Sequence, residues 1–286
     1  DGGASATSGP SQSDFFTTHA VGTRLGTIDL ATGVGSDIGP FGTSATYAAA
    51  FGVDGTLYTL TYGSFGNAQL ATVDQTTGAV TQIGSGLGIN MLSLEVASDG
   101  TMYGVGYNDR FLYEIDTTSG TAAPIGDTEI GYNMDLAFDS SGTLYATMGN
   151  MIWTLDRSTG ASTLLGTFSG VLSGHVMGIA FDASDTLFAT AYLPNSPLYT
   201  IDLATLAATV VGNTGTDRPH GGDILISPLT VRVDNVAPSV TVDVSTQQVQ
   251  YSAGQRVPGV ALDLADRLAQ PHLLPHVGHL AAPAGR

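Results

Sequence analysis

Thr154-Leu155-Asp156-Arg157-Ser158-Thr159-Gly160 is one of five copies of a single phrase in this chain. The others are Thr27-Ile28-Asp29-Leu30-Ala31-Thr32-Gly33, Thr72-Val73-Asp74-Gln75-Thr76-Thr77-Gly78, Glu114-Ile115-Asp116-Thr117-Thr118-Ser119-Gly120 and Thr200-Ile201-Asp202-Leu203-Ala204-Thr205. Their aspartates are spaced 45, 42, 40 and 46 residues apart. Each copy alternates like a strand and then enters a turn, where Asp accepts local backbone N–H groups and Gly takes a positive φ. A second alternating strand follows and ends in Ile38-Gly39, Ile83-Gly84, Ile125-Gly126, Leu165-Gly166 or Val211-Gly212. Five hairpins are therefore expected.

Between the hairpins lies a second repeated pair. Its first strands are Tyr47 to Phe51, Leu92 to Val96, Met134 to Phe138 and Met177 to Phe181, each followed by a tight turn. Its second strands open with Gly55-Thr56-Leu57-Tyr58, Gly100-Thr101-Met102-Tyr103, Gly142-Thr143-Leu144-Tyr145 and the variant Asp185-Thr186-Leu187-Phe188. Four short antiparallel strands per 40 to 46 residues is the period of a β-propeller blade. The array begins with Phe15-Phe16-Thr17-Thr18-His19 in the place of a second strand, and ends with His220-Gly221-Gly222-Asp223-Ile224-Leu225-Ile226 in the place of a first. Joined, the two fragments complete a fifth blade and remove the free edges of the ring. The expectation is an all-β, five-bladed β-propeller over residues 13–227, with its last blade closed by both ends of the array.

These units resemble the repeats of secreted bacterial β-propellers of the YncE, NHL and PQQ-like kind, with their Gly-Thr-Leu-Tyr and Leu-Tyr-Thr-Ile-Asp phrases. The resemblance covers about three quarters of the chain and is specific for fold. Such propellers include scaffolds, sugar binders, lyases, lactonases and oxidoreductases, so activity has to be read from the site. Trp153 is the only tryptophan, and the repeated tryptophan docking pattern of quinone-binding members is missing. Beyond the array, Val231 to Pro238 followed by Ser239-Val240-Thr241-Val242-Asp243-Val244 resembles the linker and first strand of bacterial Ig-like modules. The remaining length is roughly half of the ~100 residues an Ig sandwich needs. Residues 228–286 are therefore read as a truncated Ig-like, largely disordered tail, and residues 1–12 as a flexible leader.

Composition narrows the function classes. Of 286 residues, 8 are basic and 25 acidic, giving a net charge of −17, and there is no cysteine. Lysine is absent and glutamate occurs only at Glu95, Glu114 and Glu129. Long surface helices, which use those residues, are not expected. An acidic surface without a basic cluster repels phosphate backbones and anionic headgroups, so nucleic acid is excluded as a partner. Thiol catalysis and thiolate metal sites are excluded too. No apolar run approaches the roughly 18 residues of a membrane span. The Gly/Ser/Ala/Thr-rich start reads as a mature N-terminus after signal removal, and a secreted or cell-surface location is expected.

Adjacent antiparallel strands place the starts of the first strands and the ends of the second strands on one face. Aligned on the repeat, the first-strand entrance reads Ala45, Asn90, Tyr132, His175 and His220, and three positions on it reads Ala48, Ser93, Asp135, Gly178 and Asp223. The second strands end in Ala20, Tyr62, Tyr107, Gly149 and Tyr192, and nearby loops add Arg110 and Arg218. One reading makes His175, His220, Asp135 and Asp223 ligands of a divalent metal ion, with His175, His220 and Glu95 as catalytic candidates of a hydrolase or lyase. The other makes Tyr62, Tyr107, Tyr132 and Tyr192 platforms for a carbohydrate or other small molecule, with Asn90, Arg110 and Arg218 supplying polar contacts. A third possibility is a mouth that binds only water. Glu95 stands where other units have Ala50, Ala137, Ala180 and Leu225, so it should have a partner. His272, His276 and His279 are separated by prolines that prevent a converging helix. Asp54-Gly55, Asp99-Gly100 and Asp139-Ser140 read as turns rather than calcium loops, lacking the alternating aspartates and closing Glu. No nucleophile elbow, phosphate-cradling loop or dinucleotide fingerprint occurs.

Overall fold

A computed structural model of the chain describes residues 14–43, 45–62, 67–132, 134–170 and 175–226. The stretches read above as a leader and as an Ig-like tail, with His272, His276 and His279, lie outside the described residues. Among the described residues twenty strands form five antiparallel sheets of four. The closing sheet contains β1 (Asp14–His19), β2 (Arg24–Asp29) and β3 (Gly35–Pro40). Blade 1 follows as β4 (Thr46–Phe51), β5 (Leu57–Tyr62), β6 (Ala68–Val73) and β7 (Val80–Gln82). Blade 2 is β8 (Glu95–Val96), β9 (Met102–Val105), β10 (Phe111–Asp116) and β11 (Thr121–Asp127). Blade 3 is β12 (Asp135–Phe138), β13 (Leu144–Met148), β14 (Met151–Leu155) and β15 (Ser162–Thr167). Blade 4 is β16 (Val176–Phe181), β17 (Leu187–Ala191), β18 (Pro197–Asp202) and β19 (Ala207–Asn213). The last strand, β20 (His220–Ile224), pairs with β1, so blade 5 has the order β20-β1-β2-β3. Phe15 faces Ile224 and Phe16 faces Asp223 across that closing pair.

The inner strands touch in the cycle β4, β8, β12, β16, β20 and back to β4. The ring is closed. Strand side chains alternate between the two faces of each sheet, and each face packs on a different neighbour. There are accordingly five apolar cores, one per seam. Leu60 and Leu70 of blade 1 meet Met102 and Tyr113 of blade 2, and Leu112 of blade 2 meets Leu136 and Trp153 of blade 3. Tyr145 and Ile152 meet Ile179 and Tyr199 of blade 4, whose Phe188 and Leu198 meet Phe15 and Ile28 of blade 5. Phe16 and Leu25 complete the cycle against Phe51 and Leu57.

The repeated glycines make a second ring of contacts. The glycine ending each outer strand lies on the β-turn of the next blade: Gly39 on Thr77, Gly84 on Ser119, Gly126 on Thr159 and Gly212 on Thr32. In all four, a Cβ would overlap the turn carbonyl oxygen. The turn of blade 4 has no glycine, and there Leu206 takes φ 55° and its side chain packs on Gly166 instead. The five repeat aspartates cap these turns: Asp29, Asp74, Asp116, Asp156 and Asp202 each accept a backbone N–H two or three residues on. Side-chain hydroxyls in the turns of Asp29, Asp74 and Asp156, and backbone N–H groups at Asp116 and Asp202, hold the carboxyls below the ordinary carboxylate range.

Candidate functional site

The two faces of the ring differ in chemistry. One carries the aspartate turns, including Asp54, Asp99, Asp139 and Asp182, which accept N–H groups within their own loops. The other carries the starts of the inner strands and the ends of the second strands, and it is aromatic. Eight of the ten described non-glycine residues with positive φ belong to it: Ala20, Val21, Ala48, Arg110, Glu129, Tyr132, Asn195 and Arg218. Backbone in that region costs of order 1–3 kcal/mol per residue and gathers at functional surfaces.

Rings run round this mouth from blade to blade. Tyr62 lies 5.4 Å from Tyr47, and Tyr47 lies 4.7 Å from His220, all edge-to-face. His220 is 4.8 Å from Tyr192, whose face lies 5.9 Å from the Arg218 guanidinium carbon. On the opposite side Tyr107 and Tyr132 pair at 4.9 Å. Main-chain bonds join these groups: Tyr132 N–H to Tyr107 O, Tyr107 N–H to Asn90 O, and Tyr192 N–H to His175 O. Bulges in β4 and β16 and in the β1–β20 pair swing the inner strand entrances, as bulges do beside binding sites.

The floor holds polar groups that the chain leaves unused. Asn90 and His220 are only 8% and 9% exposed, and among the described residues neither side chain makes a hydrogen bond. Asn150 Oδ1, in the β13–β14 turn on the same face, is buried without a hydrogen-bond partner. Buried polar groups in proteins are nearly always satisfied. Burial between Tyr47 and Tyr192 pushes the His220 imidazole down to about 4, so it is neutral at physiological pH and keeps one donor and one acceptor nitrogen. The other predicted platforms divide by depth. Tyr62 is buried, its hydroxyl donating to Met91 O and accepting from Met91 N–H. Tyr132 is 57% exposed, and Tyr107, Tyr47 and Tyr192 are half-buried. Arg110 pairs with Asp127 at 2.7 Å and Arg218 with Asp217 at 3.0 Å.

The acids sit deeper, along the inner strands. Asp135 Oδ2 accepts from Ile179 N–H of the next blade and from Gly222 N–H of blade 5. Asp223 Oδ2 accepts from Phe51 N–H across the seam to blade 1, and its Oδ1 from Ile224 N–H. Glu95 accepts from Val96 and from Phe138 of blade 3. Inner strands are sheet edges with unpaired N–H groups, and these carboxyls satisfy them across seams. All three are buried. Desolvation raises each, and Asp223 and Asp135 raise Glu95 further by like charge.

Besides the buried Tyr62 and the rim residue Arg110, the predicted residues fall into three groups. Asn90, His220, Tyr107, Tyr132, Tyr192 and Arg218 share the mouth, while Asp135, Asp223 and Glu95 lock seams beneath it. His175 is exposed at the rim. Among the described residues no three His, Asp or Glu side chains stand together as metal ligands. Tyr47 and Asn150 were missed. Tyr47 had one available signal, being the sole aromatic in a strand column otherwise filled by Leu92, Met134, Met177 and Gly222.

No protein-family model matches the chain, and no curated protein does. Solved structures do. A chain of the nidogen/laminin complex aligns over 75% of this chain and 99% of its own, with a TM-score of 0.52 and 13% identity. A Bacteroides thetaiotaomicron protein of unknown function aligns over 76% and 60%, with a TM-score of 0.51 and 14% identity. Virginiamycin B lyase from Staphylococcus aureus aligns over 74% of both chains, with a TM-score of 0.43 and 15% identity. The likeness is one of fold. At these identities, function rests on the mouth itself.

Proposed function

We propose that this protein is an extracellular binding propeller that takes a carbohydrate at the aromatic mouth. The observation that carries the reading is the buried pair Asn90 and His220, whose polar groups are unused by the chain and framed by tyrosine rings. A sugar meets both needs, since its C–H face stacks on an aromatic ring and its hydroxyls bond amide and imidazole. Tyr107, Tyr132, Tyr47 and Tyr192 are the accessible rings. The metal-dependent hydrolase or lyase reading needs His175, His220, Asp135 and Asp223 around one ion. The two aspartates instead accept main-chain N–H groups, so the binding reading has the better support.

The test is titration calorimetry against an oligosaccharide panel, with Tyr107→Ala and Asn90→Ala as variants. Binding that weakens about tenfold or more in either variant supports the reading. Absence of binding across the panel, or wild-type affinity in both variants, overturns it.

A further inference from the structure

Charge at the mouth narrows the ligand class. The chain has no lysine and a net charge of −17. Each of the four described arginines is paired with an aspartate: Arg24 with Asp37, Arg110 with Asp127, Arg157 with Asp99 and Arg218 with Asp217. Among the described residues, each arginine at the mouth already has a carboxylate partner, which weakens its pull on a carboxylate, sulfate or phosphate of a ligand. His220 adds no charge, since burial keeps its ring neutral.

Attraction for cations is present instead. Aromatic faces bind ammonium and guanidinium groups through the ring quadrupole, and the chain already places Arg218 over Tyr192. Among the described residues the rings of Tyr47, Tyr107 and Tyr132 carry no such cation. The chain's net charge of −17 favours the approach of cationic ligands over anionic ones. Asn90 and His220 offer an amide oxygen and an imidazole nitrogen as acceptors for N–H donors.

We infer that the mouth is selective for amino sugars carrying a protonated amine, the ammonium seated against the unoccupied tyrosine faces and Asn90 or His220 accepting its N–H. This rests on the carbohydrate-binding reading above and goes beyond it, because a general sugar platform would treat acetylated and free amines alike. Uronates and sulfated sugars are rejected by the same arrangement.

The experiment compares a short glucosamine oligomer, its fully N-acetylated counterpart and a galacturonate oligomer of equal length by titration calorimetry. It is run at about pH 5.5, where the amine is protonated, on the wild-type chain and on Tyr132→Ala. Tyr132 is 57% exposed, so its removal leaves the core intact. The glucosamine oligomer should bind about tenfold tighter than the acetylated one, the advantage should shrink in high salt, and Tyr132→Ala should reduce it severalfold. The galacturonate oligomer should not bind. Equal affinity for the glucosamine oligomer and its N-acetylated counterpart overturns the amine selectivity while leaving carbohydrate binding standing. So does an advantage unaffected by Tyr132→Ala, which would mark attraction to the acidic surface alone. No binding by any oligomer overturns both.

Discussion

Gly126, at the end of the outer strand of blade 2, lies against the carbonyl oxygen of Thr159 in the β-turn of blade 3, closer than any side chain would allow. The contact needs glycine for space. Gly126→Ala should therefore destabilise the ring by about 1–3 kcal/mol through overpacking at the seam. Gly142→Ala is the comparison, because its Cβ would meet nothing within 4 Å and only its φ of 83° opposes the change. Urea unfolding should rank Gly126→Ala as the more damaging. Equal losses would show that the close approach at Gly126 costs no more than the positive φ at Gly142.

Tyr62 and Tyr107 occupy one column of the repeat and should behave differently as phenylalanines. The Tyr62 hydroxyl bridges both main-chain groups of Met91 in a buried site, and removing it leaves those groups unpaired. Tyr62→Phe should cost about 1–3 kcal/mol of stability. Tyr107→Phe should cost less than about 0.5 kcal/mol, as expected of a surface substitution. Thermal unfolding of the two variants measures the difference.

This column shows how far the chain could be read without coordinates. The repeat made the blade count, the closing pair and the turn aspartates legible, because each recurs at fixed spacing with a local physical cause. It also placed Asn90, Tyr107, Tyr132, Tyr192 and His220 on one face. Depth was not legible. Alignment treats Tyr62 and Tyr107 as equivalent, yet bulges and neighbouring blades turn one inward and leave the other at the surface. The same limit applies to Asp135 and Asp223: their column lies near the mouth, but the N–H groups they serve belong to other blades, invisible to a single repeat unit. Tyr47 escaped because a strand position is read as core by default.

Arg110 and Asp127 form an exposed ion pair on the mouth rim. Exposed pairs contribute little, so Arg110→Ala should change stability by less than about 0.5 kcal/mol. It should nevertheless raise affinity for a cationic oligomer at low salt, since Asp127 is then unpaired and the local field more negative. Calorimetry at two salt concentrations separates the effects: a gain at low salt that disappears at high salt is expected.

The buried acids and the buried histidine give stability opposite dependences on pH. Asp223 is pushed up to about 7 from an ordinary value of 3.8, chiefly by desolvation. Between those values the folded chain holds a proton that the unfolded chain has lost. Its contribution is full below about pH 4 and is lost as pH rises through about 7. Asp223→Asn should be less stable than wild type in acid, because one acceptor of Phe51 or Ile224 N–H is replaced by a donor. The gap should close as pH rises through 7. Urea midpoints across this window test the sign, and a gap that widens with pH would refute the assignment.

For His220 the direction reverses. Burial between Tyr47 and Tyr192 lowers its imidazole from 6.5 to about 4. Between those values the unfolded chain binds a proton that the folded chain does not, so stability from this site is present above about 6.5 and lost as pH falls towards 4. His220→Phe keeps a ring between the two tyrosines and removes the titration, so its stability relative to wild type should improve steadily over that interval. In the wild type, the His220 ring proton resonances should shift little between about pH 7 and pH 5. A His220 midpoint near 6.5 would mean that the tyrosine frame is open to water, and the buried, unused imidazole on which the binding site is argued would not exist.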